Sequence, residues 1–421
     1  MAKIESLRGM DDILPGEVEK WQWLEEKTRN FFGGLGFKEI RTPILEYTEL
    51  FSRAVGESSD IVHKEMFSFE DRGGRNVTLR PEMTASVARA VIEKGLLTQA
   101  SFLQLYYIGP MFRAERPQAG RKRQFHQIGI EIINKTDVVD FNVLYHLSAF
   151  LERAGVAKSK FRINDLGSPE AQKKTAQELH KYFSAHKTKL CPDCHYRLEK
   201  NVLRIFDCKN GACASVIEKA PWEEIAPLSK EFESLTEQLK KISLPFVVDR
   251  RLVRGLDYYN GTVFEVSAEG LGAQDALAGG GRYDRLYEQL GGKSTPCTGF
   301  SIGMERLLTV LEKSDPPLSE KIRVPVYFAP LPGAHQIEEP LEKTVLNLRE
   351  KGIRALLGPA DRNLNDHLKI ANRERARLVV IVGENEIKDK DHWTVKDMDK
   401  KDQKQIKKKD LYFYILGEKL L

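Results

Sequence analysis

Arg113, Arg116, Arg121 and Arg123 crowd into one stretch, Met111–Glu131 (MFRAERPQAGRKRQFHQIGIE), together with Glu115, Gln127 and Glu131. The stretch reads as two β-strands joined by a basic loop that contains glycine and proline. In the second strand a period of two sets Phe125, Gln127, Gly129 and Glu131 on one face and His126, Ile128, Ile130 and Ile132 on the other. One face is therefore apolar, and the other offers an amide and a carboxylate. Guanidinium groups beside them favour an anion, and phosphate above all. The set suits a ligand with both cationic and polyanionic groups, a phosphate compound plus a polar organic molecule. An ordinary hairpin with a solvated basic tip has the same spacing, so other stretches must separate the two readings.

Such stretches recur along the chain. Asn76–Thr84 (NVTLRPEMT) runs a strand into a helix with apolar positions Val87, Val91 and Ile92, and Glu82 and Thr84 fall at the junction, where free backbone groups converge. Thr84 also suits a plain helix cap. Leu252–Val266 (LVRGLDYYNGTVFEV) is a turn-rich approach to a strand, too polar at Arg254, Asp257, Tyr258 and Tyr259 for a core segment. Ala278–Asp284 (AGGGRYD) reads as a flexible loop that lets backbone approach a ligand. Gly299–Arg306 (GFSIGMER) passes into a helix, which places Arg306 in a first turn, where the helix dipole also favours an anion. No GxxxxGK[ST] run occurs, so phosphate is not held by a P-loop.

The elements that must position these residues follow from periodicity. Val18, Trp21, Leu24, Thr28 and Phe31 recur at helical spacing until Gly33-Gly34, and Gly36–Pro43 (GFKEIRTP) is a short strand closed by proline. A helix is expected over Asp140–Arg153, a strand over Phe161–Leu166, and a Ser168-Pro169 helix start. Residues 168–243 turn rich in Lys and Glu and read as an insertion into a core spanning 1–322. After Asp315-Pro316-Pro317 the pattern alternates: strand Val324–Phe328, helix Ile337–Lys351, strand Ala355–Leu357, helix Leu364–Glu374, strand Leu378–Val382, a charged run, and a last strand Leu411–Ile415. That argues a small α/β domain with a mixed sheet over 323–421. The lysine tract Lys400–Lys409 reads as a solvated loop, with an RNA contact as the alternative.

Composition bounds the class. With 421 residues, 41% of them hydrophobic, the chain can bury a large core in two or three domains. A net charge of +5 is no bulk polycation, so a nucleic-acid partner must be met by local patches. No apolar run has membrane-spanning or signal-peptide length, and a cytoplasmic, reducing setting is expected. Four of the five cysteines, Cys191, Cys194, Cys208 and Cys213, have spacings compatible with a tetrahedral structural zinc site. His195 could compete as a ligand, reduced thiols are the alternative, and Cys297 reads as packing.

With these blocks in view, the chain resembles bacterial histidyl-tRNA synthetases, class II aminoacyl-tRNA synthetases, over nearly its whole length. GFKEIRTP ending in Pro43, FRAE around Arg113 and GFSIGMER ending in Arg306 carry the likeness to the class, and LVRGLDYYNGTVFE and AGGGRYD carry it to the histidine enzymes. The resemblance implies an α+β fold: an antiparallel six-stranded catalytic core with an inserted domain, and a C-terminal α/β anticodon-binding domain. It implies a homodimer built partly on the Pro43 segment, with L-histidine, ATP with Mg²⁺ and tRNA(His) as substrates. By the same likeness Arg113 and Arg254 grip the α-phosphate and the substrate carboxylate, Arg254 in place of a metal used by related enzymes. Glu115 and Phe125 hold the adenine, and Arg121 and Arg306 the outer phosphates. Glu82, Thr84 and Gln127 receive the α-ammonium, Glu131 and Tyr259 the imidazole, and Tyr258 and Tyr283 wall the pocket. A non-catalytic, histidine-sensing regulatory subunit of ATP phosphoribosyltransferase resembles the same core, and so does a ligase joining an amino acid to ammonia or to another protein. The loop and helix arginines and the tail domain argue against the first, and Glu131, Tyr259 and the tail domain against the second.

Overall fold

The alternation read in the second strand is the one the fold uses. Ile128, Ile130 and Ile132 are fully buried on one face of Gln124–Asn134, each contributing roughly 2 kcal/mol of apolar burial. The computed structural model describes residues 3–56, 59, 61–115, 121–134, 139–272, 276–336, 340–360, 362–389 and 391–417. The chain divides into two compact units, Met1–Asp315 and Pro316–Leu421.

In the first unit the strands are β1 (Lys38–Glu39), β2 (Leu45–Tyr47), β3 (Phe67–Glu70), β4 (Asn76–Leu79), β5 (Phe102–Phe112), β6 (Gln124–Asn134), β7 (Ser159–Asp165), β8 (Phe246–Val248), β9 (Asn260–Ala268), β10 (Ala276–Arg282) and β11 (Cys297–Gly303). Eight form one sheet in the order β1-β5-β6-β11-β10-β9-β7-β8, and β2-β4-β3 form a small second sheet. The six central strands from β5 to β7 are antiparallel throughout, as expected. Two short parallel edges, β1 on β5 and β8 on β7, extend that core to eight.

The apolar face is covered by helices whose buried positions recur every three to four residues: Trp21, Leu24, Thr28 and Phe32 on Val18–Gly34, and Val143, Leu144, Leu147, Phe150 and Leu151 on Asp140–Ala154. The Phe32 ring lies 5.1 Å from that of Phe150 and 6.2 Å from that of Phe300, joining both helices to β11. The opposite face is left to the site. Between β7 and β8 the insertion is helical: the elements from Pro169–Ala185 to Trp222–Ile225 surround a small apolar core of their own, and the last helix, Lys230–Lys241, packs against Asp140–Ala154. Ser168 caps its first helix by accepting from the Ala171 N–H at 3.2 Å.

Three expectations are overturned. Ala278–Asp284 is not a loop, because its glycines run through β10, a central strand between β9 and β11. The last expected strand, Leu411–Ile415, belongs to the helix Leu411–Gly417, which buries Leu411 and Ile415 four residues apart. The second unit takes its remaining strands from the charged run instead. β12 (Val324–Pro330), β13 (Ala355–Leu357), β14 (Ala376–Val382), β15 (His392–Asp397) and β16 (Gln403–Lys407) form a mixed sheet in the order β13-β12-β14-β15-β16. The lysine tract expected as a loop therefore supplies β16, an edge strand on which lysines discourage further pairing. The helix expected from Ile337 runs Leu341–Glu350, and residues 337–339 lie outside the described residues. Among the described residues no helix is long and apolar enough to cross a membrane.

Candidate active site

One cleft of about 320 Å³ opens on the sheet face opposite the helices, and every residue expected to hold histidine or ATP lines it: Glu82, Thr84, Arg113, Glu115, Arg121, Phe125, Gln127, Glu131, Arg254, Tyr258, Tyr259, Tyr283 and Arg306. Arg116 lies outside the described residues. β6 supplies Phe125, Gln127 and Glu131 by strand parity. The start of helix Thr84–Glu93 supplies Glu82 and Thr84, and the helix Met304–Glu312 that follows β11 supplies Arg306 in its first turn.

At one end the groups are acidic and phenolic. The Glu82 carboxylate accepts the Thr84 and Ala85 backbone N–H groups, both at 2.8 Å, and the Tyr258 hydroxyl at 3.3 Å. It is thus a helix cap as well as a wall of the cleft. The Thr84 hydroxyl donates to Glu131 at 2.8 Å, and the Tyr283 hydroxyl donates to its other oxygen. Burial pushes the Glu131 carboxyl up to about 8, although both hydroxyls pull it down. Burial raises Glu82 too, against the pull of its two backbone donors and of Arg113. Tyr258, Tyr259 and Tyr283 form an aromatic corner, with ring centroids 4.7 to 6.5 Å apart. Burial lifts the Tyr259 phenol to about 12, so all three serve as neutral donors.

At the other end the groups are cationic. Arg113 lies 5.2 Å over the Phe125 ring and donates through Nε to the Pro81 carbonyl at 3.0 Å. Arg121 pairs with Glu115 at 2.8 Å. Arg306 donates to the Ala276 carbonyl, and burial together with the nearby Arg121 lowers its pKa. Arg254 bonds Glu265 at 3.0 Å. Its guanidinium occupies the space over Gly279, where a Cβ would stand 2.2 Å from Nη2. Likewise a Cβ on Gly299 would stand 1.9 Å from a Glu131 oxygen. Two buried polar atoms of the cleft residues, Arg254 Nε and Gln127 Oε1, have no hydrogen-bond partner among the described residues, so both keep hydrogen-bonding capacity within the cleft.

Sequence reasoning missed three neighbours. Glu265 holds Arg254 and Arg162, and its alternation with Phe264 and Val266 on β9 was a usable signal. Tyr107 lines the cleft from β5, opposite Gly129 in the register. Glu305 lines it as well and accepts the His126 backbone N–H at 3.0 Å, a contact 179 residues apart that no local pattern encodes.

The insertion cysteines also converge. The sulfurs of Cys191, Cys194, Cys208 and Cys213 lie within 4.8 Å of one another, and all four are free thiols. None of them lines the cleft. His195 does not join them, because its Nε2 bonds the Lys187 carbonyl oxygen at 2.8 Å.

Comparison with known proteins agrees with this geometry. A family model described as histidyl-tRNA synthetase matches residues 9–307, and one described as an anticodon-binding domain matches residues 319–418. The histidine–tRNA ligase of Desulforamulus reducens is 42% identical over 97% of this chain and 98% of its own length, and that of Halothermothrix orenii is 44% identical over 96% of each. The solved apo histidyl-tRNA synthetase of S. aureus superposes with a TM-score of 0.72 at 32% identity, covering 98% of this chain and 100% of its own. A Bacillus halodurans structure titled as an ATP phosphoribosyltransferase regulatory subunit/histidyl-tRNA synthetase shares the fold, with a TM-score of 0.62 at 23% identity over 90% of this chain and 98% of its own.

Proposed function

The chain belongs to the histidyl-tRNA synthetase family, and from that membership we propose how its own side chains carry out the reaction. It is an ATP-dependent ligase that joins histidine to tRNA. The regulatory-subunit reading is not favoured, since relatives above 40% identity over nearly the whole chain are ligases.

In our reading the histidine carboxylate attacks the α-phosphorus of ATP, which enters with Mg²⁺. A P–O bond to the carboxylate forms as the bond to pyrophosphate breaks. Arg113 and Arg254 stabilise the charge that builds on the α-phosphoryl oxygens, and no protein nucleophile is needed. Arg121 and Arg306 hold the outer phosphates, Glu115 reads the adenine and Phe125 stacks on it. For that, the Glu115–Arg121 pair must open and exchange one partner for the nucleotide. Glu82, Thr84 and Gln127 receive the α-ammonium. Glu131 and Tyr259 take the imidazole, within a wall made by Tyr258 and Tyr283. In the second step a ribose hydroxyl at the tRNA 3′ end attacks the carbonyl and AMP leaves.

The observation that carries this reading is the polarity of this cleft, acidic and phenolic at one end and cationic at the other. An apolar amino acid would bury the remaining hydrogen-bonding capacity of Glu131 and Tyr259 without offering it a polar partner, so rejection by a factor of ~10⁴ needs no editing site. The test is histidine-dependent ATP–pyrophosphate exchange. Arg254→Ala is expected to slow exchange by about 10² to 10³ while histidine binding changes only a few-fold; near-parental exchange would reject the role of Arg254.

We assign the catalytic core to residues 1–322, with the insertion at 168–243, and anticodon recognition to 323–421, so that tRNA(His) meets both. The enzyme acts as a homodimer in the cytoplasm. Exposed Ile44, Leu45, Tyr47 and Phe69, close to Pro43 in sequence or across the small sheet, support that interface. The free thiols fit a reducing compartment. Cys191, Cys194, Cys208 and Cys213 hold a structural zinc ion. In a tetrahedral site with Zn–S bonds of about 2.3 Å the sulfurs stand about 3.8 Å apart, and Cys191 and Cys208 already do, at 3.8 Å.

A further inference from the structure

We propose that this zinc knuckle is the buttress of the catalytic loop: metal bound by the four cysteines fixes the segment 195–207, and that segment holds Arg254 in position. The inference rests on the zinc reading above and goes beyond it by giving the metal a consequence for the chemistry.

The segment between Cys194 and Cys208 is pinned at both ends by sulfur ligands. It consists of the rest of helix Pro192–Lys200 and the 3-10 turn Val202–Asp207. It reaches the loop 253–257 in three independent ways. Val253, the neighbour of Arg254, is buried in the same apolar cluster as Cys191, Cys194, Cys213, Leu198 and Ile205. Arg204, itself 6% exposed, donates to the Arg254 carbonyl at 3.3 Å. Asn201 donates through Nδ2 to Asp257 at 2.9 Å, and the Asp257 backbone N–H is bound in turn by Val55 at 3.1 Å. Arg254 thus hangs from a backbone that the knuckle grips at the Arg254 carbonyl and at Asp257, while Val55 and Asn164 hold the same loop from the catalytic core. Its guanidinium has to sit in the narrow space over Gly279 beside Glu265.

The sulfur cage has the features of a ligand set rather than of chance packing. Three of the four thiols are buried, and two accept backbone N–H groups: Cys213 from Cys191 at 3.2 Å and Cys208 from Asn210 at 3.4 Å. Such donors orient a sulfur ligand toward a metal. Four thiolates in a tetrahedron select zinc or iron over harder ions. Without an ion, the segment 195–207 keeps its small apolar core and a few polar contacts, such as His195 to the Lys187 carbonyl and Arg204 to Asp207, but loses the cross-link that ties its two ends together. The ion therefore acts through position, and Asn201 and Arg204 are positioning residues, since neither lines the cleft.

The test uses the full-length enzyme purified without chelator. Metal analysis is expected to give about one zinc per chain, released on titration with a thiol-blocking mercurial; less than about a tenth of an equivalent overturns the zinc reading and the buttress with it. Two variants then separate the ideas. Cys208→Ser, at the most exposed of the four, is expected to lose zinc and to lower kcat of pyrophosphate exchange about 10- to 100-fold, the size typical of supporting groups around a metal. Asn201→Ala is expected to keep its zinc and its thermal midpoint, yet lower kcat about tenfold with the KM for histidine nearly unchanged. A zinc-loaded Asn201→Ala enzyme with parental kcat, or a zinc-stripped parent with parental kcat, overturns the buttress while leaving the zinc site standing.

Discussion

Glu131 is 1% exposed, and burial raises its carboxyl to about 8 from an ordinary 4.5. The folded chain therefore keeps a proton that the unfolded chain releases, which favours folding fully below the lower value and is lost as pH rises through the upper. Stability is expected to fall between about pH 5 and pH 8, and Glu131→Gln to flatten that slope in urea titrations; an equally steep variant would remove Glu131 as the source. The same residue bears on selection. A carboxyl poised near neutrality can accept from or donate to an imidazole nitrogen, whereas an amide cannot change its protonation. In our reading Glu131→Gln weakens discrimination between histidine and other amino acids by about 10- to 100-fold in kcat/KM, and undiminished discrimination would count against the contact.

At the level of elements, β10 places three glycines in the middle of the sheet, and their neighbours differ in kind. A Cβ on Gly279 meets only the far end of the Arg254 side chain, whereas a Cβ on Gly280 meets the Gly299 carbonyl at 2.1 Å and the Phe264 ring at 2.7 Å. The first can be relieved by moving a guanidinium, the second only by moving backbone. Gly279→Ala is thus expected to hold its thermal midpoint while exchange falls about 100-fold. Gly280→Ala is expected to lose about 1–3 kcal/mol or more in denaturant titration. Equal stability losses in the two variants would contradict this division. The same strand explains what the sequence conceals. AGGG has the low strand propensity of a loop, and it is a strand because β9 and β11 pair with it on both sides, while the missing side chains leave room for Arg254 and Phe264. LYFYI is the converse case, rich in strand-favouring residues but helical because Leu411 and Ile415 pack four apart. By contrast Phe125, Gln127 and Glu131 were legible because strand parity is local, and Glu82 and Thr84 because a strand-to-helix junction is. Tyr107 and Glu305 were not, since their places depend on register and on contacts far apart in sequence.

At the scale of the whole molecule, every cleft residue from Glu82 to Arg306 belongs to the unit Met1–Asp315. The unit Pro316–Leu421 has its own apolar core around Val326, Phe328, Leu378, Val380 and Trp393, so each has the means to fold by itself. In our reading adenylate formation needs only small substrates and the first unit. Charging also needs the tRNA to be held, and a match to anticodon-binding domains covers residues 319–418. A fragment ending at Asp315 is accordingly expected to keep histidine-dependent exchange within about tenfold of the full chain. Its charging of tRNA(His) is expected to drop by ~100-fold or more, equivalent to losing about 3 kcal/mol of tRNA contact. If both activities fell together, the tail would be supporting the catalytic unit itself, and if both survived, recognition of the tRNA would lie within the first unit.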